Sequence, residues 1–122
     1  MTNRSKAKGT HFEVLIRDYF IENWDDLINR LALAGTKDCG DLANFRIAGE
    51  KIAVECKDHR QMELAAWVAE AQKEAENLGA LASVVVHKRR GKGAAQDQYV
   101  TTTLGDFMKI IALSEGRGSV PL

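Results

Sequence analysis

No stretch of this chain is apolar over the ~20 residues that a membrane-spanning helix needs, so no membrane partner is expected. Cysteine is scarce. Cys39 and Cys56 are the two, and they lack the paired spacing of a metal ribbon or a disulfide framework. They read as reduced thiols of an intracellular, cytoplasmic protein. His11, His59 and His87 share no ligand spacing, which argues against zinc. The polar start, Met1-Thr2-Asn3-Arg4-Ser5-Lys6, does not read as a signal peptide. There is no nucleophilic triad, no phosphate-cradling loop and no dinucleotide fingerprint, so no small-molecule cofactor is expected. Repeats and low-complexity segments are absent. Formal net charge is zero, which by itself argues against nucleic acid as a partner.

What is present points elsewhere. A chain of 122 residues fits one domain, and 45% hydrophobic residues make it globular rather than disordered. A chain of this size buries roughly two-thirds of its unfolded surface, enough for a core. Its neutral charge is segregated. Arg4, Lys6 and Lys8 form a basic arm without an acid among them, and Lys88-Arg89-Arg90-Gly91-Lys92 form a second basic cluster. Segregation of this kind gives a neutral protein a local positive surface. It equally fits a solvated tail and a solvated loop.

Periodicity orders the elements. Phe12, Leu15, Ile16, Tyr19, Phe20, Trp24, Leu27, Ile28 and Leu31 recur at helical spacing between Thr10 and Leu33, with a break at Glu22-Asn23. Leu42 to Ile47 reads as a strand, Ala48 to Lys51 as a turn, and Ile52 to Lys57 as the returning strand. Met62 to Leu78 is an alanine-rich helix closed by Gly79. Leu81 to Val86 reads as a buried strand and Gln98 to Thr102 as another. Thr103 caps a last amphipathic helix through Phe107, Ile110, Ile111 and Leu113. The order α-β-β-α-β-β-α predicts a three-layer α/β fold, a mixed sheet with helices on both faces. Residues 1–9 form the basic arm, 10–115 the folded domain and 116–122 a loose tail. The last helix, Trp24 and Trp67 fit either a subunit interface or the core.

The most informative stretch is Asp41, thirteen residues, then Glu55-Cys56-Lys57. Strand period 2 puts Glu55 and Lys57 on one face and turns Cys56 toward the core. A tight hairpin returns them to Asp41. Two carboxylates and a lysine at a sheet edge make a divalent-metal site with a cationic neighbour, the equipment for cutting a phosphodiester. A plain charged strand end fits the same residues, and Glu13 with Arg17 is also an ordinary i, i+4 helix pair.

Glu13 on a first helix, then Asp41, then Glu55-x-Lys57 on a hairpin, resembles the PD-(D/E)XK nuclease superfamily. Lys8-Gly9-Thr10-His11-Phe12-Glu13 is similar to the start of archaeal-type Holliday-junction resolvases, and Val84 to Arg89 looks like that group and its phage-encoded relatives. Gly40 stands where the family motif has proline. The resemblance implies a restriction-endonuclease-like fold and Mg²⁺-dependent hydrolysis of DNA, with Mn²⁺ able to substitute. It implies that Asp41, Glu55 and the backbone carbonyl of Cys56 hold the metal, with Glu13 reaching it directly or through water. Lys57 would orient or deprotonate the attacking water, or offset the charge of the transition state. Gln72 lies on the helix where related nucleases place a glutamine facing the site; in this Ala/Glu/Lys-rich helix solvent exposure fits as well.

DNA contacts are expected from Arg4, Lys6 and Lys8, from Thr36 and Lys37 before Asp41, from His59 and Gln72, and from Lys88, Arg89, Arg90 and Lys92. No element for reading base edges is legible, which favours structure-selective cutting. The implied substrate is branched DNA, a four-way junction, and its near two-fold symmetry matches a C₂ homodimer. Another nuclease of this fold, of restriction or repair type, and a catalytically inactive DNA-binding module are the alternatives.

Overall fold

A computed structural model describes residues 3–28, 42 and 44–116. Helix α1 spans Asn3–Asn23. It starts earlier than the apolar period indicates. Arg4, Lys6 and Lys8 therefore fall in its first turns. Arg, Lys and Ala are good helix formers without being apolar, so propensity extends the helix where periodicity is silent. The helix stops at Asn23, as the Glu22-Asn23 break predicts. Asp25 Oδ1 then accepts from the Leu27 amide at 2.9 Å, an Asx-type turn that redirects the chain.

Among the described residues four strands follow: β1 (Arg46–Ile47), β2 (Glu50–Lys57), β3 (Ala82–His87) and β4 (Tyr99–Thr101). Helix α2 (Leu64–Leu78) joins β2 to β3, a 3₁₀ turn covers Ala95–Asp97, and α3 (Leu104–Ser114) comes last. The sheet order is β1-β2-β3-β4, with β2 and β3 parallel and the outer pairs antiparallel. The chain is thus an α/β protein with an open mixed sheet and, among the described residues, three helices.

The first hairpin is tighter than its sequence indicates. Ala48 (φ 52) and Gly49 (φ 83) form a two-residue turn, and Glu50 and Lys51 already belong to β2. Positive φ at both central positions is what a type I′ hairpin turn needs. Leu42 forms an isolated bridge to Val54, while Arg46 pairs with Lys51. The first strand takes four steps where β2 takes three, so a bulge lies between, and Asn44 sits there at φ 66. The expected strand from Leu42 to Ile47 is therefore interrupted.

Helices lie on both faces. Phe12 and Ile16 of α1 pack with Leu42, Val54 and Val86. Leu113 of α3 packs with Ile52 and Ala82 on the same face. Trp67 and Ala71 of α2 pack on Val85, on the other face. Gly79 (φ 72) closes α2, and Thr103 Oγ1 accepts from the Asp106 amide at 3.1 Å to cap α3. Trp67 is core. Trp24 is exposed, stacks on Phe45 and donates from Nε1 to the Arg46 carbonyl at 2.8 Å.

Candidate functional site

Alternation along β2 sends Val54 and Cys56 toward α1, and Ala53, Glu55 and Lys57 toward α2. Glu55 is buried, at 5% exposure. Lys57 Nζ lies 3.8 Å from Glu55 Oε1 and forms a second ion pair with Glu70 Oε2 of α2. The ammonium is thereby positioned between a strand carboxylate and a helix carboxylate. A unit-charge pair about 4 Å apart is worth ~4 kcal/mol at the effective dielectric near a protein surface. That attraction helps offset the desolvation of Glu55. Glu74, one helical turn beyond Glu70, is also buried on α2.

Asp41, Thr36 and Lys37 lie outside the described residues. Leu42 is described, and its bridge to Val54 ties the chain just after Asp41 to the residue just before Glu55. Cys56 is half-buried against the Phe12 cluster, in line with the core side expected for it. Glu13 is half-buried on α1. That helix covers the sheet face opposite to the one Glu55 and Lys57 point to. Arg17 lies 3.5 Å from its neighbour Asp18.

The second basic cluster comes to the same end of the sheet as Lys57. The Lys88 amide donates to the Lys57 carbonyl at 3.0 Å. Gln98 is buried and organises the loop: its Oε1 accepts from the Arg89 amide at 2.7 Å, and its Nε2 donates to the carbonyls of Lys92 (2.9 Å) and Ala94 (2.8 Å). Lys88 Nζ donates to the Lys92 carbonyl. Arg90 Nη2 reaches across to the His59 carbonyl at 2.8 Å. The basic loop is thus fixed against the ends of β2 and β3. An open groove beside it is lined by His11, Phe12, Leu15, Asp58 and Lys88.

Gln72 is placed elsewhere. It is exposed and lines a hollow with Ala75, Glu76, Ala80, Asp106 and Lys109, toward the opposite end of α2 from Trp67 and Lys57. The α2 residue that reaches Lys57 is Glu70, which was not singled out from the sequence. Helix phase held the signal: Trp67, Glu70, Ala71 and Glu74 are spaced i, i+3, i+4, i+7 and share one face, which Gln72 does not.

His87 is a second residue whose setting only the structure supplies. It pairs in register with Lys57 and is 3% exposed. Its Nε2 is 2.8 Å from Thr101 Oγ1, linking β3 to β4, while buried Nδ1 has no hydrogen-bond partner among the described residues. Burial pushes its pKa below the ordinary histidine value.

No family model, curated protein or solved structure matches this chain. Its chemistry must therefore be argued from these residues. Among the described residues no three His, Cys, Asp or Glu side chains converge as a metal-binding group. What stands there is a carboxylate–ammonium pair at a strand end, beside a hydrogen-bonded cationic loop. Such a site can bind a phosphodiester and offset extra negative charge on it.

Proposed function

We propose that this chain is a metal-dependent endonuclease of the PD-(D/E)XK type that makes paired nicks in branched DNA, four-way junctions above all. One observation carries the reading: Glu55 and Lys57 stand 3.8 Å apart at the end of β2, with the Lys88–Lys92 loop bonded to the same strand end. The mixed sheet with helices on both faces accommodates the restriction-endonuclease-like fold, which belongs to the proposal.

The donor chemistry fits a hard cation. Mg²⁺ is commonly held by one or two carboxylates together with waters and phosphate oxygens. Glu55, Asp41 and the carbonyl of Cys56 would hold it, and Mn²⁺ would serve in its place; Glu13, on the helix over the other face, has no part in this set. When bound, the ion polarises the scissile phosphate and lowers the pKa of an attacking water. Lys57 orients that water or balances the charge that builds on phosphorus. Its two carboxylate partners fix the ammonium before DNA arrives, so little reorganisation is left for the reaction. Lys88, Arg89, Arg90 and Lys92 bind flanking phosphates without reading sequence. Two active sites on a C₂ homodimer would cut the two opposed strands of a junction.

The Lys57–Glu70 ion pair also favours a second reading. A lysine satisfied by two carboxylates is what a structural pair needs, and a DNA-binding module without catalysis would keep it. A substrate panel separates the readings: four-way junction, duplex, flap and single strand, each with Mg²⁺, for the wild type and Asp41→Asn. Symmetrical nicks confined to the junction and lost in the variant support the resolvase. Equal cutting of plain duplex leaves a nuclease of restriction or repair type. Binding without cutting of any substrate leaves the module.

A further inference from the structure

We propose that a row of rings at the end of the sheet is a stacking platform for unpaired DNA bases. Four rings follow one another where β2 and β3 finish. His59 lies 5.6 Å from Trp67, Trp67 lies 5.7 Å from His87, and His87 lies 5.6 Å from Tyr99, centre to centre. The inner two are buried and fix the row. The outer two reach solvent: His59 is exposed, and Tyr99 is 47% exposed.

Each open ring has an arginine with it. The Arg89 guanidinium lies 5.5 Å from the centre of the Tyr99 ring. The Arg90 guanidinium is bonded to the His59 backbone. Core packing accounts for Trp67 and His87 but not for the accessible rings at the two ends. Bases stack on aromatic side chains and on guanidinium planes, and proteins that bind single strands pair such rings with a cationic track. The loop carrying Lys88 and Lys92 supplies that track. A continuous duplex keeps its bases stacked on each other and gains nothing from open rings. A single strand, or the opened bases of a branch point, gains a stacking partner. The ligand class is therefore DNA with unpaired bases.

The inference rests on the DNA reading of this sheet end but not on hydrolysis. The test is fluorescence anisotropy with labelled oligothymidine and a blunt duplex of equal length, in EDTA at low salt. The wild type is expected to prefer oligothymidine. His59→Ala and Tyr99→Ala should each weaken it about tenfold or more, with duplex binding nearly unchanged. His59→Phe and Tyr99→Phe should keep wild-type affinity, because stacking needs the ring and not its polar atoms. Circular dichroism establishes that each variant is folded. Alanine variants that bind oligothymidine like the wild type overturn the platform, as does wild-type preference for duplex or an equal loss in the phenylalanine variants. Cleavage with Mg²⁺ is measured on the same proteins. Cutting without any ring effect defeats the platform and leaves the nuclease standing; ring-dependent binding without cutting does the reverse.

Discussion

With Lys57 removed, Glu55 keeps its burial and loses the ammonium 3.8 Å away. Breaking one side of a buried pair is far costlier than deleting an exposed charge. Lys57→Ala is therefore expected to lower stability by about 3 kcal/mol in urea titration. Glu70 is half exposed, and Glu70→Ala should cost less than about 1 kcal/mol. Equal losses would mean that the Glu70 pair, and not the buried Glu55 pair, carries the lysine's contribution. His87 makes a second claim at this scale. Burial lowers its folded pKa below the ~6.5 of an unfolded histidine, so the unfolded chain binds more protons in acid. That contribution to stability is complete above about pH 6.5 and is lost as pH falls below it, by at most ~1.4 kcal/mol per pH unit. His87→Gln should flatten the slope of urea midpoints between about pH 7.5 and 5.5. An unchanged slope would place the acid sensitivity on another group.

The hairpin is the element that delivers Glu55 and Lys57, and its turn carries a strained residue. Ala48 holds φ 52, in the left-handed region where an alanine costs ~1–2 kcal/mol over glycine-like residues. Ala48→Asn creates the Asn-Gly pair that type I′ turns prefer, and should raise stability by about 0.5–1 kcal/mol in the same titration. A loss would show that the turn is held by its strands and not by its own preference. This hairpin was legible because Gly49 and the period-2 pattern of Ile52 to Lys57 both mark it. The bulge at Asn44 was not. A bulge is set by which neighbours share a face, and Leu42 joins Val54 in the Phe12 cluster only after that shift. The face of Glu55 and Lys57 followed from alternation alone. Which helix covers that face did not, because the sheet order that puts α1 on one side and α2 on the other is a tertiary fact. For the same reason Glu13 and Gln72 could be named from the sequence but not placed. Glu70, half exposed among other charges of α2, resembled a solvated surface residue until Lys57 was seen against it.

Across the whole molecule the charges sum to zero, yet Lys88, Arg89, Arg90 and Lys92 are gathered by Gln98 and His59 at the end of the sheet that carries Lys57. Zero net charge and a local cationic face are compatible when the charges are segregated. DNA affinity should therefore fall steeply with salt, and replacing Lys88, Arg90 and Lys92 by alanine should make the log–log salt slope shallower by about two to three. A slope that does not change would remove the loop from the DNA contact. The most direct test of the central claim is single-turnover nicking of a labelled four-way junction with Mg²⁺, for the wild type, Glu55→Gln and Lys57→Ala, beside junction binding in EDTA. Paired nicks by the wild type, with both folded variants still binding but cutting at least ~10²-fold more slowly, is the expected result. A wild type that binds the junction and cuts it with neither Mg²⁺ nor Mn²⁺, or variants that cut at its rate, would contradict the account.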